Sequence, residues 1–254
     1  MESDDKMAGG SEDFAGSNDH DRSYALVTGG YKNLGYTIAS SLKGAGYLPV
    51  ITYRTDEKRA RKASELLDCP SVKADLTRYE DVESLFDILD ERGITIDILI
   101  NNASSFHTGD LLSMNEEEIR NAVEGCIYPT IFTTQFAAER MISKGYGRIV
   151  NIGMAGIADL RGFTKVALHA ASKTALLSLT LSYARELGGY GITVNMVSPG
   201  IMDRSGYSGS DDQRSDLVGV DLIQPGEVAS AVIEIINDGK MNGSNIEIGR
   251  DPFG

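Results

Sequence analysis

A glycine-rich turn near the start of the chain has the residue types and spacing of a phosphate-binding loop. The turn has the sequence TGGYKNLG and separates a short apolar run from a stretch with helical periodicity. Gly29 would permit a tight turn, and Gly35 would let the following helix pack closely on the preceding strand. Backbone N–H groups and the positive end of a helix dipole can together bind a pyrophosphate. We therefore predict a dinucleotide site that includes Thr28, Gly29, Tyr31, Lys32, Asn33, Leu34 and Gly35.

The second predicted strand ends at Tyr53 and Arg54 rather than at an acidic residue. An Asp or Glu at this position would hydrogen-bond the ribose 2′-hydroxyl of NAD, whereas an arginine can pair with the 2′-phosphate of NADP. Lys32, Lys58 and Arg59 could add positive charge nearby. We predict NADP as the cofactor in preference to NAD. The alternative is that Arg54 is a solvated charge at the end of a strand.

Short apolar runs alternate with amphipathic stretches from Tyr24 onward. This alternation predicts a doubly wound, Rossmann-type α/β fold, with about seven parallel strands and helices on both faces. The predicted strands are Tyr24–Thr28, Leu48–Tyr53, Ser71–Ala74, Ile96–Asn101, Arg148–Ile152, Ile192–Val197 and Asn245–Ile248. The predicted helices are Leu34–Ala45, Thr55–Leu67, Tyr79–Arg92, Asn115–Lys144 and His169–Gly188.

Three local details of this pattern carry predictions of their own. Pro49 cannot donate to a sheet ladder, so we place it at the first residue of its strand. Ser113 and Glu116 have the spacing of a capping box at the start of the next helix. The segment Ile201–Gln224 is rich in Ser, Gly and Asp, and it follows the carboxyl end of a strand, where open α/β sheets bind ligands. It is either a substrate lid or a long surface connection.

The overall composition excludes several classes of partner. The 254 residues carry a formal net charge of −13, which disfavours binding to nucleic acid or to an anionic membrane. No apolar run is long enough to span a bilayer. Cys69 and Cys126 are isolated, which fits a reduced, cytoplasmic setting, and the three histidines show no metal-ligand spacing. A small-molecule substrate remains as the expected partner.

The first 22 residues differ in composition from the rest of the chain. They hold seven acidic residues against Lys6 and Arg22, with Gly and Ser between them. This segment has too little apolar surface to fold alone, so we predict a disordered acidic tail over residues 1–22. Residues 23–254 are predicted to form one dinucleotide-binding domain.

The run from His169 to Gly200 resembles the most specific part of the short-chain dehydrogenase/reductase family. It keeps the lysine of the family's Tyr-x-x-x-Lys helix as Lys173 and the turn after the sixth strand as Pro199 and Gly200. The resemblance covers nearly all of residues 24–250. It implies that Thr28–Gly35 is the family's TGxxxGxG loop, in which Asn33 replaces the middle glycine. Asn tolerates positive φ better than most residues, so the loop can still form.

Two further motifs of the family recur beside the predicted cofactor site. Asp75, followed by Leu76, matches the acidic residue that meets the adenine amino group in the family. The run Asn101–Ser104, which includes Asn102 and Ala103, matches the family's NNAG motif with serine in place of glycine. The sequence of this run is also similar to that of pteridine reductases, which implies a heteroaromatic substrate.

The family's catalytic residues are mostly replaced. His169 stands at the position of the catalytic tyrosine, and Gly153 or Met154 stands at that of the serine that polarises the carbonyl. The family's asparagine falls within Glu124–Cys126, where there is no Asn. Arg204 takes the place of a threonine that contacts the nicotinamide amide. The resemblance therefore implies that the cofactor machinery, including Lys173, is kept while the usual proton donor is lost.

Two interpretations of His169 remain open. Imidazole titrates near neutral pH and could act as the acid, with Lys173 one helical turn away. Alternatively, His169 is a polar helix residue with no role in proton transfer. The predicted catalytic residues are thus His169 and Lys173. Residues that could orient a polar or anionic substrate are Ser104, His107, Met154, Asp159, Arg161 and Arg204.

Three functions fit these observations. The first is an NADP-dependent reductase of a carbonyl or an imine with a non-standard proton donor. The second is a cofactor-binding regulatory protein without turnover, and the third is a non-redox enzyme on the same fold. We favour the first, because the phosphate loop, Arg54, Asp75 and Lys173 are all kept. The resemblance also implies a homodimer or homotetramer built through Asn115–Lys144 and His169–Gly188.

Overall fold

A seven-stranded, wholly parallel sheet forms the centre of the computed structural model, which describes residues 23–203 and 222–249. The strands are β1 Tyr24–Val27, β2 Leu48–Tyr53, β3 Ser71–Lys73, β4 Ile96–Asn101, β5 Gly147–Ile152, β6 Ile192–Pro199 and β7 Asn245–Ile248. Their order across the sheet is β3-β2-β1-β4-β5-β6-β7. The predicted tail 1–22, Arg204 and most of the segment Ile201–Gln224 lie outside the described residues.

Within residues 23–203 and 222–249, six α-helices cover the two faces of the sheet. They are α1 Asn33–Gly44, α2 Glu57–Leu67, α3 Tyr79–Glu91, α4 Glu116–Lys144, α5 Ala167–Leu187 and α6 Pro225–Asn237. Neighbouring strand residues point to opposite faces, so Ala25 and Val27 pack with α1 and α6, whereas Leu26 packs in the layer of α3, α4 and α5. The predicted doubly wound parallel sheet is confirmed.

The strand order reverses between β1 and β4. The chain leaves β1 for α1 on one face and leaves β4 for α4 on the other, so a crevice opens at the carboxyl ends of these two strands. The glycine-rich turn follows β1 at this edge, and the Asn101–Ser104 motif follows β4. The topology therefore brings together two motifs that are about 70 residues apart in the chain.

A chain of buried polar side chains crosses the sheet just below this edge. Asn101 donates to the Asn151 amide oxygen at 2.9 Å, and Asn151 donates to Thr180 Oγ1 at 2.8 Å. Thr133 of α4 donates to the Asn101 amide oxygen at 2.6 Å. Buried polar groups are tolerated when they find partners, so this chain ties α4, β4, β5 and α5 into a defined arrangement.

Pro49 is the second residue of β2, so its predicted position at the strand start is wrong. Backbone N–H groups along a strand point alternately to its two neighbours. Leu48 donates to Ser23 beside β1, and Ile51 donates to Pro70 at the start of β3. Pro49 shares the side of Ile51, and β3 pairs with β2 only from Ile51 onward. The missing N–H of Pro49 therefore breaks no ladder hydrogen bond.

The predicted capping box of α4 is displaced by two residues. Asn115, rather than Ser113, accepts from the Glu118 backbone at 3.0 Å, and the Glu118 carboxylate accepts from the Asn115 backbone at 2.9 Å. Ser113 instead donates to the Asp110 carbonyl, within a turn that precedes the helix. Asn is at least as good an N-cap as Ser, which accounts for the shift.

Helix α6 was not predicted. It begins with Pro225 and is preceded by Gln224, which forms a capping box with Glu227. Val228, Val232 and Ile235 form a buried stripe against α1 and the sheet. Across residues 23–203 and 222–249, no helix combines the length and the apolar character that crossing a bilayer demands.

Candidate active site

Thr28 anchors the glycine-rich turn to the end of β4. Its hydroxyl donates to the Ile100 carbonyl at 3.2 Å and accepts from the backbone N–H groups of Asn102 and Ala103, each at 2.9 Å. The Asn102 amide donates back to the Thr28 carbonyl at 2.9 Å. Thr28 is buried, and its hydrogen bonds hold the two motifs together, while its contact with a dinucleotide stays a prediction.

The backbone of the turn has the geometry that close approach to phosphate requires. Gly29 has a φ of 63°, and its N–H donates to Thr52 Oγ1 at 3.0 Å. Asn33 has a φ of 51°, which confirms that this residue occupies a left-handed position normally suited to glycine. A Cβ atom at Gly35 would lie 2.5 Å from the Gly29 carbonyl oxygen, so only glycine fits there.

A cleft of about 300 Å³ opens between this turn and the ends of β2, β3 and β4. Twelve of the predicted site residues line it: Gly29, Tyr31, Lys32, Asn33, Leu34, Gly35, Arg54, Asp75, Leu76, Asn102, Ala103 and Ser104. Seven lining residues were not predicted: Thr52, Tyr53, Ala74, Thr77, Ser105, Gly125 and Pro129. Thr52, Tyr53, Ala74, Thr77 and Ser105 lie beside predicted residues at or after strand ends, which was the signal that could have found them. Gly125 and Pro129 lie within α4, and no such signal marks them.

Cationic side chains surround the end of the cleft next to β2. Arg54 is largely exposed, with Nη1 4.0 Å from Asp75 Oδ2. Arg59 reaches Asn33 Oδ1 from α2 at 3.4 Å, and Lys32 lies over the Tyr31 ring. Three positive groups therefore lie within or beside the turn, and only Arg54 has a carboxylate near it among the ion pairs described. This end of the cleft suits an anionic group such as a phosphate.

Asp75 is held in place by its own loop. Its Oδ1 accepts from the backbone N–H of Thr77 at 3.1 Å and from the Thr77 hydroxyl at 2.7 Å, while its backbone N–H donates to Asp81. The second carboxylate oxygen faces Arg54 across the cleft. The wall of the cleft at β3 therefore presents a fixed acceptor, as the resemblance implies for a residue that meets an adenine amino group.

Lys173 is buried beneath the carboxyl end of β5. Its Nζ donates to the Ile152 carbonyl at 2.7 Å, and the side chain is 4% exposed. Burial lowers the pKa of Lys173 below its usual value of 10.5, an effect that the nearby Cys126 thiol partly opposes. The position confirms that α5 brings the kept lysine to the edge of the sheet where the phosphate loop lies.

His169 lies in the first turn of α5, four residues before Lys173. It is 8% exposed, and its ring meets Phe106 edge to face, with the ring centroids 4.9 Å apart. Phe106 belongs to the loop after β4 and is itself 43% exposed. The ring pair therefore joins the tyrosine position of the family to the loop of the NNAS motif. Nothing in the sequence pattern indicated a role for Phe106.

Sulfur-containing side chains lie at two of the positions at which the resemblance implies that the family's polar groups are replaced. Cys126 is fully buried and lies in an apolar cluster with Ile157, Leu176 and Met196, against which Met154 packs. Ser104 Oγ lies 3.3 Å from Cys126 Sγ, so the serine of the NNAS motif contacts the thiol in α4. A thioether donates no hydrogen bond, so Met154 cannot polarise a carbonyl.

The loops that follow β4 and β5 are joined to each other. Gly109 N donates to the Lys165 carbonyl at 2.7 Å, and Lys165 Nζ forms an ion pair with Asp110. Pro199 and Gly200, at the end of β6, contact the loop after β5 and strand β7. The Pro199 carbonyl accepts from the Ala155 backbone N–H, and the Gly200 backbone N–H donates to the Ile248 carbonyl. Neither of these two residues lines the cleft.

The predicted substrate residues do not form a single cluster. Ser104 reaches both the cleft and Cys126, and Met154 lies beside Cys126. His107 is half-buried in the first loop, and Asp159 is exposed in the second. The Arg161 guanidinium stacks on the Phe163 ring at 5.2 Å. The substrate role of His107, Asp159 and Arg161 stays a prediction.

Comparison with known proteins agrees with this arrangement. The family model for short chain dehydrogenases matches residues 23–216. The 3-oxoacyl-acyl-carrier-protein reductase of Escherichia coli is 31% identical over 197 residues, which cover 76% of this chain and 80% of that protein. Galactitol 2-dehydrogenase of Agrobacterium fabrum is 30% identical over 219 residues, which cover 85% and 83%. A structure of an actinorhodin polyketide ketoreductase variant with NADPH has a TM-score of 0.81 at 25% identity and covers 91% of this chain and 97% of its own.

The chain belongs to the short-chain dehydrogenase family. Its matched relatives are oxidoreductases, and the family uses nicotinamide dinucleotides.

Proposed function

We propose that this protein is an NADP(H)-dependent oxidoreductase that reduces a carbonyl or an imine and takes its proton from a source other than tyrosine. The observation that carries the proposal is the cationic end of the cleft, where Arg54, Arg59 and Lys32 surround the phosphate loop. An acidic residue at position 54 would repel a 2′-phosphate, whereas an arginine can bind it with two hydrogen bonds.

The residues of the cleft fit a nicotinamide dinucleotide in a defined order. Gly29, Asn33 and Gly35 leave room for a pyrophosphate, Asp75 offers an acceptor to the adenine, and Arg54 faces the 2′-phosphate side. Lys173 is the residue that we expect to hold the nicotinamide half, at the other end of the site. A reduced nicotinamide supplies a hydride when it is bound.

The proton then comes from water or from His169. Imidazole is shorter than a phenol by roughly 2 Å, so transfer from His169 would require an intervening water molecule. The resemblance implies Gly153 or Met154 at the family's serine position and a residue within Glu124–Cys126 at its asparagine position. If these residues are Met154 and Cys126, they provide a thioether and a thiol in place of a hydroxyl and an amide.

The test is a fluorescence titration of the full chain with NADPH and with NADH. We expect NADPH to bind at least tenfold more tightly, followed by loss of the nicotinamide absorbance when a suitable acceptor is added. Tighter binding of NADH, or no binding of either at millimolar concentration, would contradict the proposal.

A second candidate is a dinucleotide-binding protein without turnover, which the replaced residues Met154, Cys126 and His169 favour. NADPH binding without consumption in the presence of ketones, quinones and cyclic imines would support it. The double variant His169→Tyr with Met154→Ser separates the two cases further. If only the donor groups differ, this variant gains ketone reduction while its affinity for NADPH stays the same.

We also propose a homodimer or homotetramer built through α4 and α5. Ile119 and Tyr128 on α4 and Leu181 on α5 are large apolar or aromatic side chains that remain exposed in the single chain. Light scattering after size-exclusion chromatography measures the mass directly. A mass equal to one 27.3 kDa chain at micromolar concentration would contradict this assembly.

A further inference from the structure

A cationic surface surrounds the phosphate end of the cleft and continues along α2. We call it the α2 cationic surface, and its residues are Lys32, Arg54, Lys58, Arg59 and Lys62. Lys58 and Lys62 are exposed and lie one helical turn apart, so both side chains lie on the same side of α2. Arg59 reaches Asn33 in the phosphate loop, which joins this helix to the cleft.

The positive charge of this surface is not neutralised by ion pairs of its own. Within residues 23–203 and 222–249, no ion pair involves Lys32, Lys58, Arg59 or Lys62, and Arg54 lies 4.0 Å from its carboxylate neighbour. The run from residue 54 to residue 62 carries five cations and two carboxylates, although the whole chain has a net charge of −13. A local group of like charges attracts segments of the opposite charge.

The chain carries an anionic segment that complements this surface. Residues 1–22 hold seven acidic residues against Lys6 and Arg22, with Gly and Ser between them. A segment of this composition has little apolar surface to bury, so charge is the means by which it can bind. The acidic residues are Glu2, Asp4, Asp5, Glu12, Asp13, Asp19 and Asp21.

The point at which this segment joins the fold leaves the α2 cationic surface within its reach. The Ser23 carbonyl accepts a hydrogen bond from Leu48, the first residue of β2, and Arg54 directly follows the last residue of that strand. The six residues of β2 span roughly 20 Å, at about 3.3 Å each. A flexible chain of 22 residues has an end-to-end distance of roughly 25 Å, so its acidic residues can cover this distance.

We propose that the acidic tail, residues 1–22, binds the α2 cationic surface and competes there with the 2′-phosphate of NADP(H). The competition rests on the proposed function, whereas the binding of the tail rests on charge and reach alone. Because the tail and the surface belong to one chain, the tail acts at an effective concentration in the millimolar range. Exposed ion pairs are individually weak and are screened by salt, so the tail lowers the affinity for NADP(H) at low salt without abolishing it.

The first test locates the tail on the full chain in the absence of cofactor. A carbodiimide couples a carboxylate to a lysine amine in direct contact, with loss of water, and mass spectrometry of the digest identifies the two residues. We expect links from residues 1–22 to Lys58 and Lys62 at low salt, and 1 M NaCl should remove them. Lys240, which is also exposed and follows α6, is the matched control and should not be linked to the tail.

Three results of this test would overturn the proposal. The tail could give no links, or it could link to Lys240 as often as to Lys58 and Lys62. Links that join two copies of the chain would place the tail on a neighbouring molecule instead.

The second test replaces the seven acidic residues of the tail by Asn or Gln in the full chain. We expect the Kd of NADPH to fall about three- to tenfold at low salt. The Kd of NADH should change less than about twofold, because NADH lacks the 2′-phosphate. In 1 M NaCl the variant and the wild type should bind NADPH equally, since salt screens the tail.

A matched control has the same net charge as this variant but keeps the tail intact. It replaces seven exposed acidic residues elsewhere, and its Kd for NADPH should stay within about twofold of the wild type. The residues replaced are Glu83, Asp87, Glu91, Glu117, Glu139, Glu186 and Glu234.

The outcomes separate this inference from the proposed function. If NADPH binds neither the wild type nor the tail variant, the proposed function and the competition are both overturned. Equal NADPH affinity of these two proteins at low salt overturns the competition alone. An equal gain in the matched control would assign the effect to overall charge and would overturn the role of the tail. Links at Lys58 and Lys62 together with a gain confined to the tail variant support the inference.

Discussion

Lys165 Nζ lies 2.8 Å and 2.9 Å from the two carboxylate oxygens of Asp110, so an ion pair joins the loop after β5 to the loop after β4. Both side chains are mostly exposed, and such pairs contribute only about 0.2–1 kcal/mol. A double-mutant cycle with Asp110→Asn and Lys165→Gln should give a coupling free energy of that size in urea unfolding. The coupling should shrink in 1 M NaCl, because salt screens exposed charges. A coupling that high salt leaves unchanged would show that the pair does not act through charge.

Arg54 is predicted to select NADPH over NADH. Arg54→Gln removes a charge-assisted hydrogen bond, about 1.5–3 kcal/mol, so the Kd of NADPH should rise about 10- to 100-fold. The Kd of NADH should stay within about twofold. Arg61→Gln, on the same helix as Arg59 and paired with Glu65, is the matched control. Equal losses for both dinucleotides after Arg54→Gln would assign Arg54 to another part of the site.

Asn33 is predicted to tolerate glycine and to reject a β-branched residue. Its φ of 51° costs a non-glycine residue roughly 1–2 kcal/mol, which Asn offsets better than most. Asn33→Gly should change the free energy of unfolding by less than about 1 kcal/mol, whereas Asn33→Val should lower it by about 1–2 kcal/mol and weaken NADPH binding. Urea unfolding and fluorescence titration of both variants test this. Equal behaviour of Gly and Val would refute the role of the left-handed backbone.

Burial of Lys173 makes the stability of the protein depend on pH. Because the folded pKa lies below the usual 10.5, the unfolded chain binds more protons between the two values, and the free energy of unfolding rises with pH across that window. Lys173→Met lacks this contribution, so its stability relative to the wild type should be greatest at neutral pH. That advantage should decline as the pH approaches 10.5.

Urea unfolding of the ligand-free protein at pH 7, 8.5 and 10 measures the difference. Lys62→Met, at an exposed position on α2, is the control and should follow the wild type at every pH. A constant difference between Lys173→Met and the wild type would mean that Lys173 has the same pKa in the folded and unfolded chains.

The polar chain through the sheet is predicted to contribute strongly to stability. Asn151→Ala removes the acceptor of Asn101 and the donor to Thr180, and it leaves a cavity at a fully buried position. We expect a loss of about 2–4 kcal/mol in the free energy of unfolding. Ser182→Ala, an exposed hydroxyl on α5, should cost less than about 0.5 kcal/mol. Equal unfolding midpoints for the two variants would contradict a structural role for the chain.

The sheet and the phosphate loop were predictable because their signals are local. An apolar run of strand length predicts a strand, and a glycine-rich turn between a strand and a helix predicts a phosphate loop, without any knowledge of distant contacts. Helix α6 was not predicted because it directly follows a long polar segment, although Gln224 can cap it and the residues from Val228 to Ile235 form an apolar stripe. The exact first residue of a helix is harder to predict, because neighbouring residues can cap it equally well. Asn115 caps α4 in place of the predicted Ser113 for this reason.

The reaction end of the site was predictable only in part. The resemblance to the family's Tyr-x-x-x-Lys helix implied that His169 and Lys173 lie one turn apart on a helix, and both are buried residues of α5. The contact between Phe106 and His169 could not be predicted, because it joins a loop to a helix 63 residues further along the chain. The same holds for Asp110 and Lys165, which are 55 residues apart.

Pro49 also affects how the protein meets other copies of itself in concentrated solution. An unpaired row of N–H groups at a sheet border recruits strands from neighbouring molecules and starts aggregation. The outermost strand here, β3, has only three residues, and the stretch of β2 left uncovered before Ile51 holds a proline that has no hydrogen to offer. The border of the sheet at β2 and β3 is thus a poor template for intermolecular strand addition.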